Sequence, residues 1–265
     1  MASHPGAYLF VPANRPERYS KAIEAAAGAV IIDLEDAVAP DQKDAARDCL
    51  MQWLDPQHPV IVRINADGSD WFARDLQLLA QPGVAGVMLP KAEDCAAVDR
   101  VAAIGKPVIA LLETATGVAR AREIAQRPGV HCLAFGSIDL QVDLGISGDQ
   151  EELHFARSEL VLASRLAELR APIDGVTTAI DDTDLLRGDA ERAKRFGFGA
   201  KLCIHPRQVA LVNAAFAPSA DELAWARKVR EAIARSAGGA VSVDGKMVDK
   251  PVLLLADRIL ERAGE

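Results

Sequence analysis

Residues 108–136, VIALLETATGVARAREIAQRPGVHCLAFG, set an Ala- and Arg-rich segment between two apolar runs, 108-VIALLE and 131-HCLAFG. Apolar runs of this length suit buried strands, and the polar segment between them is long enough for a helix. Strands joined through a helix run parallel, and a parallel sheet is covered on both faces. The same alternation recurs in 7-AYLFVP, 29-AVIIDL, 60-VIVRIN, 86-GVMLPK, 173-IDGVTT and 200-AKLCIH. Between these lie helical segments such as 17-ERYSKAIEAAA and 152-ELHFARSELVLASRLAELR; the latter suggests a stripe of Leu153, Ala156, Leu160, Ala163 and Leu166. Eight such units predict a closed (β/α)8 TIM barrel over residues 1–216. A doubly wound open sheet is the alternative, but neither GxGxxG nor a P-loop is present, and 197-GFGAKL lacks the last glycine of the former.

After residue 216 the alternation stops. Residues 217–265 read as a C-terminal extension: a helix in 220-ADELAWARKVREAIARSA, a hairpin or flap in 238-GGAVSVDGKMVDKP, and a helix in 251-PVLLLADRILERA. So short a segment is expected to lack a core of its own and to pack on the barrel or on a neighbouring subunit.

Half of the 265 residues are hydrophobic, which is ample for a core, while only 5% are aromatic and the net charge is −8. That balance argues against nucleic acid or an anionic membrane as the main partner, and leaves room for a small anion in a local basic pocket. Cys49, Cys95, Cys132 and Cys203 have no metal-type spacing and read as free thiols. The first ten residues hold no Lys or Arg, unlike a signal peptide, and no apolar run suits a membrane span. A soluble, cytoplasmic protein is the expectation.

In a barrel, chemistry gathers at the C-terminal strand ends. There stand Glu35 and Asp36, Arg63, Lys91, Glu113, Gly136 to Asp139, and His205. Glu113 and Asp139 follow adjacent strands; each alone would be a helix cap, but together they make a hard oxygen pair suited to Mg2+. Arg63 ends an apolar run, where a guanidinium can bind a substrate carboxylate or pair with the acids of the second strand. Lys91 adds positive charge to the same pocket or is a surface lysine. His205, followed by proline, carries no assigned proton transfer and can be a packed or capping residue, and Asp174 reads as structural. Arg15, Arg18 and Lys21 form a basic patch at the first βα junction, either a phosphate site or a solvated helix.

The segments 9-LFVPANRPER, 30-VIIDLEDAVAPDQK, 62-VRIN, 89-LPKAE, 111-LLETATG, 134-AFGSIDL, 201-KLCIHP and 244-DGKMVD, in this order, resemble the HpcH/HpaI aldolase and citrate lyase β-subunit family, nearly end to end. The likeness is to its free-standing acyl-CoA lyases, relatives of malyl-CoA and citramalyl-CoA lyases. It implies a Mg2+-dependent barrel, with Mn2+ as a substitute, that breaks or forms a carbon–carbon bond in a β-hydroxyacyl-CoA, releasing acetyl-CoA and a 2-oxo acid. It further implies metal binding by Glu113 and Asp139, substrate binding by Arg63 and Glu113 with charge stabilisation by Arg63, and CoA contacts at Phe10, Arg15 and Lys21. Asp249 matches an acid that reaches a neighbour's active site, which implies a homo-oligomer, a trimer or hexamer. Glu35 and Asp36 then support the site, orienting waters around the metal or Arg63, and Asp33 pairs with a neighbour in the barrel.

Three rivals stand beside this reading. A metal-dependent 2-oxo acid aldolase would use the same barrel without CoA. A citrate lyase β subunit would need an acyl-carrier partner. A non-catalytic binding protein would have no need of Arg63, Glu113, Asp139 and Asp249 together.

Overall fold

The computed structural model describes residues 6–25, 29–235 and 241–265. Eight parallel strands close into a barrel in sequence order: β1 (Ala7–Pro12), β2 (Ala29–Asp33), β3 (Val60–Arg63), β4 (Val84–Leu89), β5 (Val108–Leu112), β6 (Val130–Phe135), β7 (Ile173–Asp174) and β8 (Ala200–Cys203). Closure is completed by β1 pairing β8, with Tyr8 opposite Leu202. Each predicted strand run forms a barrel strand. Between β5 and β6 the helix breaks at Arg120 into Ala115–Ala119 and Ala121–Ala125, where the Arg120 guanidinium turns aside to Glu93 O and Glu123.

The period of two along a strand decides what the barrel holds. Tyr8, Ile31, Met88, Ile109, Leu111, Cys132, Ala134, Ile173, Ala200 and Leu202 form one buried cluster, with Phe10, Ile61 and Val176 packed against it. These residues share one parity on their strands, so they fill the interior. The other parity, including Leu9, Val30, Ile32, Val62, Val87 and Leu133, is equally buried and faces the helices. Two steps beyond Ile31, Ile61 and Leu111 come Asp33, Arg63 and Glu113. The interior parity therefore delivers those three side chains to one mouth.

Strand β7 is cut to two residues between Pro172 and Gly175. A Cβ on Gly175 would lie 2.5 Å from Ser137 Oγ and 3.2 Å from Phe135 O, so a larger residue there would crowd the start of the next helix. Gly197, whose neighbourhood resembled a nucleotide turn, is the left-handed C-cap of helix Thr183–Phe196 (φ 102°).

One expected stripe is corrected. Leu153, Ala156, Leu160 and Ala163 are buried, whereas Leu166 is 56% exposed. At 3.6 residues per turn the stripe continues at Ala167, not Leu166. Arg157 and Ser164 share the buried face of helix His154–Leu166. Arg157 reaches Asp174, which also lies near Lys201, in a wholly buried ion cluster, so Asp174 is structural as expected.

Residues 215–265 form a second compact unit. Helices Ala220–Arg235 and Lys250–Arg262 flank an antiparallel hairpin, β9 (Val241–Val243) and β10 (Lys246–Val248). Asp244 and Gly245 take positive φ (49° and 77°), the turn that an Asp-Gly pair favours. The expectation that this segment lacks its own core is overturned. Ala226, Val229, Val243, Val248, Ala256 and Leu260 are buried together, because two amphipathic helices and a hairpin present apolar faces to one another. Gly238 and Gly239 of the expected flap lie outside the described residues.

Candidate active site

A cavity of about 380 Å³ opens at the C-terminal strand ends. Its lining combines apolar Phe10, Pro12, Leu111, Phe135, Val176, Leu202 and Ile204 with polar Asp33, Asp36, Arg63, Glu113, Ser137 and Asp139. The structure thus brings together Arg63, Glu113 and Asp139, as the strand-end positions predicted.

Arg63 is held on every side. Asp33 sits opposite it in the β2–β3 register and grips it with both oxygens, at 2.7 Å to Nε and 2.6 Å to Nη2. Nη1 lies 3.1 Å from Glu35 and 3.7 Å from Asp36. The Phe10 ring is 4.8 Å below the guanidinium carbon, a cation–π contact. Burial opposes the charge on Arg63, but the acids, led by Asp33, outweigh it and hold its pKa above the ordinary arginine value. Asp33 itself is fixed by the N–H groups of Glu35 (2.9 Å) and Ala37 (3.1 Å).

Glu113 does not cap the following helix; Thr114 does, accepting from Gly117 N. Glu113 is 1% exposed, and its Oε1 accepts the Lys91 N–H at 2.8 Å. Lys91 presents that N–H from a left-handed conformation (φ 45°), a strained choice for a residue with a Cβ. Gly136 makes room on the other side: a Cβ there would lie 2.3 Å from Glu113 Cβ and 2.6 Å from Oε2. Burial, then the charges of Glu35 and Asp139, push the Glu113 carboxyl up to about 8. Asp139 stands half-buried in the first turn of helix Ser137–Leu144 and makes no side-chain hydrogen bond or ion pair with a described residue.

Glu35 is buried and its pKa is raised by burial, against the pull of Arg63 and Lys91. Its Oε1 takes the Lys91 ammonium at 2.5 Å, while Oε2 pairs with Arg63 but receives no aligned hydrogen bond. Lys91 is therefore tied to the acids of the mouth from a partly exposed position rather than standing as a lone surface lysine. Asp36 lies at the cavity rim, more exposed than Glu35.

These residues fit a hard divalent cation. Asp33, Glu35, Asp36, Glu113 and Asp139 outnumber the nearby cations Arg63, Lys91 and Lys43, so the mouth is rich in carboxylate. One buried carboxylate is driven toward its neutral form, and a second is without a partner. No cluster of three or more His, Cys, Asp or Glu forms a closed cage among the described residues. Glu113 and Asp139 with solvent and substrate oxygens would complete an octahedral shell, the arrangement Mg2+ favours.

Phe10 lines this cavity as the shelf beneath Arg63, whereas Arg15 and Lys21 lie exposed outside its lining. Arg15 pairs with Glu17 at 2.7 Å, and the helix beyond, Tyr19–Glu24, is short. His205 is not in the lining; its Nδ1 accepts from Arg207 N at 3.2 Å, a capping contact at the start of helix Pro206–Phe216. Asp249 belongs to the second unit, where it is the N-cap of helix Lys250–Arg262, its Oδ1 3.4 Å from Val252 N. The four cysteines are free thiols. No helix of the described residues is long and apolar enough to cross a membrane.

The Asp33–Arg63 clasp realises the pairing of Arg63 with an acid of the second strand, both side chains lying two steps beyond an interior residue on neighbouring strands. Ser137, within the strand-end stretch Gly136 to Asp139, is buried with an unpartnered hydroxyl on the cavity wall, a placement no local pattern foretells.

The model of the HpcH/HpaI aldolase/citrate lyase family matches residues 7–206. A citrate lyase subunit beta-like protein of Mycobacterium tuberculosis is 45% identical over 272 residues, covering 100% of this chain and 97% of that protein. A (3S)-malyl-CoA thioesterase of Cereibacter sphaeroides is 34% identical over 266 residues, covering 96% and 93%. Among solved structures, that of protein CitE from Mycobacterium tuberculosis in complex with magnesium, acetoacetate and coenzyme A matches with a TM-score of 0.90 at 43% identity, over 100% of this chain and 99% of that one.

Proposed function

The chain belongs to the HpcH/HpaI aldolase/citrate lyase family, and we propose that it is a Mg2+-dependent carbon–carbon lyase acting on a β-hydroxyacyl-CoA of the malyl-CoA or citramalyl-CoA type. The products in the cleavage direction are acetyl-CoA and a 2-oxo acid; the reverse is a Claisen-type condensation. The observation that carries this is the joint placement of Arg63, Glu113 and Asp139 around one cavity. A relative of 43% identity that was crystallised with magnesium, acetoacetate and coenzyme A supports the cofactor and the ligand class.

Glu113 and Asp139 would hold the Mg2+, which supplies a fixed positive charge beside the substrate's carboxylate and β-oxygen. Arg63, preset by Asp33 and Phe10, donates its remaining N–H bonds to the same oxygens and stabilises charge developing there. Loss of the β-hydroxyl proton to solvent lets that oxygen become a carbonyl as the carbon–carbon bond breaks; the bond's electron pair passes to the thioester as an enolate, which takes up a proton at its carbon to give acetyl-CoA. In the condensation direction Asp249, contributed by a neighbouring subunit, removes the α-proton of acetyl-CoA. Its position on the hairpin unit would let it close over a bound substrate. The enzyme would accordingly work as a homo-oligomer, a trimer or hexamer, and its free thiols suit a reducing cytoplasm. Arg15 and Lys21 are solvent-facing cations suited to the CoA phosphates.

Turnover of free malyl-CoA or citramalyl-CoA by the purified chain with Mg2+, without carrier protein, tests this reading. Turnover only of a carrier-bound substrate would make the chain a citrate lyase subunit, and enolisation of pyruvate without any thioester would make it an aldolase. A second reading is thioester hydrolysis, favoured by the thioesterase relatives at 34% identity.

A further inference from the structure

Behind the acidic mouth lies a buried lysine that the proposed chemistry does not use. Lys43, the first residue of helix Lys43–Trp53, is 6% exposed. Its ammonium donates to Leu34 O (2.9 Å), Glu35 O (2.9 Å) and Asn65 Oδ1 (2.6 Å), and it faces the Trp71 ring at 5.1 Å. All three hydrogens thus go to neutral oxygens, although Asp33, Glu35, Asp36 and Asp75 attract it from farther off. Asn65 is locked in turn: its N–H and Nδ2 both donate to Asp75 Oδ2 (2.8 and 2.6 Å), and Asp75 Oδ1 takes Arg47 Nε at 2.7 Å.

The Leu34–Glu35 peptide explains this arrangement. In a trans peptide the C=O and N–H point in opposite directions. Here the C=O faces Lys43 and the N–H donates to Asp33 Oδ1 at 2.9 Å. By holding the carbonyl, the ammonium sets the plane that presents the N–H to Asp33, and Asp33 grips Arg63 with both oxygens. We infer that Lys43 is a positioning residue for Arg63, acting through the Leu34–Glu35 peptide and Asp33, with Asn65, Asp75 and Arg47 as its anchor. Its hydrogen bonds to amide oxygens orient the peptide, while its charge acts on the acids of the mouth only from farther off. The kinetic part of this inference rests on the lyase reading; the geometric part does not.

The test compares Lys43→Met, Arg63→Lys and the double variant, using full-length protein with Mg2+ and the CoA ester that the wild type turns over. Lys43→Met lowers kcat/KM by about 10–100-fold, the usual effect of losing a group that orients a ligand-binding side chain. In the Arg63→Lys background the same substitution costs less than about threefold, because the two act in series. Nitrogen-15 NMR of labelled arginine supplies a readout independent of turnover. The Arg63 Nε–H, identified by its absence in Arg63→Lys, is slow to exchange in the wild type and shifts or broadens in Lys43→Met. Asn65→Ala, which removes one acceptor, gives a smaller change of the same sign and replaces Lys43→Met if that variant does not fold. Wild-type kcat/KM with an unmoved Nε–H resonance in folded Lys43→Met overturns the inference, as does an equal loss in both backgrounds. If the wild type turns over no thioester, the lyase reading fails and the resonance alone decides the role of Lys43.

Discussion

Replacing Glu113 by Gln should change how stability depends on pH. In the metal-free protein, burial and the charges of Glu35 and Asp139 raise this carboxyl from an ordinary 4.5 to about 8. The folded state therefore holds a proton that the unfolded chain has released. The stability due to this group is complete below pH 4.5 and is lost as pH rises through about 8. At 1.36 kcal/mol per pH unit the displacement amounts to roughly 4–5 kcal/mol. For a chain of this size that corresponds to a fall in Tm on the order of 10 °C between pH 5 and 8.5. Gln keeps the acceptor for Lys91 N and cannot ionise, so the Glu113→Gln protein should lack this fall and exceed the wild type at pH 8.5. Mg2+ favours the charged carboxylate and should flatten the wild-type profile while leaving the variant unmoved. Thermal melts of both proteins from pH 5 to 9, with EDTA or excess Mg2+, measure all four curves. Parallel profiles for wild type and variant without metal would refute the reasoning, because the electrostatic cost would then not reside on Glu113.

Other substitutions probe neighbouring parts of the site. Gly136→Ala puts a Cβ 2.6 Å from Glu113 Oε2 and should weaken Mg2+ binding at least tenfold, read by calorimetry, with the barrel's circular dichroism retained. Asp33→Asn leaves the Arg63 guanidinium buried without its main counter-charge and should cost about 3–5 kcal/mol in urea denaturation at pH 7. Asp249→Asn keeps a good helix cap but no base, so Tm should hold while exchange of the acetyl-CoA α-proton with solvent stops; Asp249→Ala should lose both exchange and about 1 kcal/mol of stability.

The barrel was legible because each strand announces itself as an apolar run and each run is followed by helical spacing. The quoted βαβ stretch contains the whole rule, and its only surprise is the break at Arg120. Site residues were legible to the extent that they obey strand parity. Arg63 and Glu113 follow interior residues by two, and the same count singles out Asp33 among the second-strand acids as the partner of Arg63. Lys43 also left a trace, since Lys43, Ala46, Arg47 and Leu50 lie on one buried helical stripe. Other features depend on contacts between distant segments. No local pattern foretells that Lys91 adopts positive φ to reach Glu113, or that a Cβ at Gly136 or Gly175 would crowd Glu113 or Ser137. Phe10 shows the same limit: its ring on β1 serves Arg63 on β3, over the intervening strand β2, a contact that strand β1 alone does not reveal.

Identification of both products tests the proposed reaction most directly. The purified chain is incubated with Mg2+ and a panel of β-hydroxyacyl-CoA esters, and acetyl-CoA, 2-oxo acid, free CoA thiol and hydroxy acid are quantified together. A carbon–carbon lyase gives acetyl-CoA and 2-oxo acid in equal amounts from at least one ester, abolished by EDTA and by Glu113→Ala. Release of free CoA thiol and hydroxy acid without 2-oxo acid would contradict the lyase reading and identify a thioesterase.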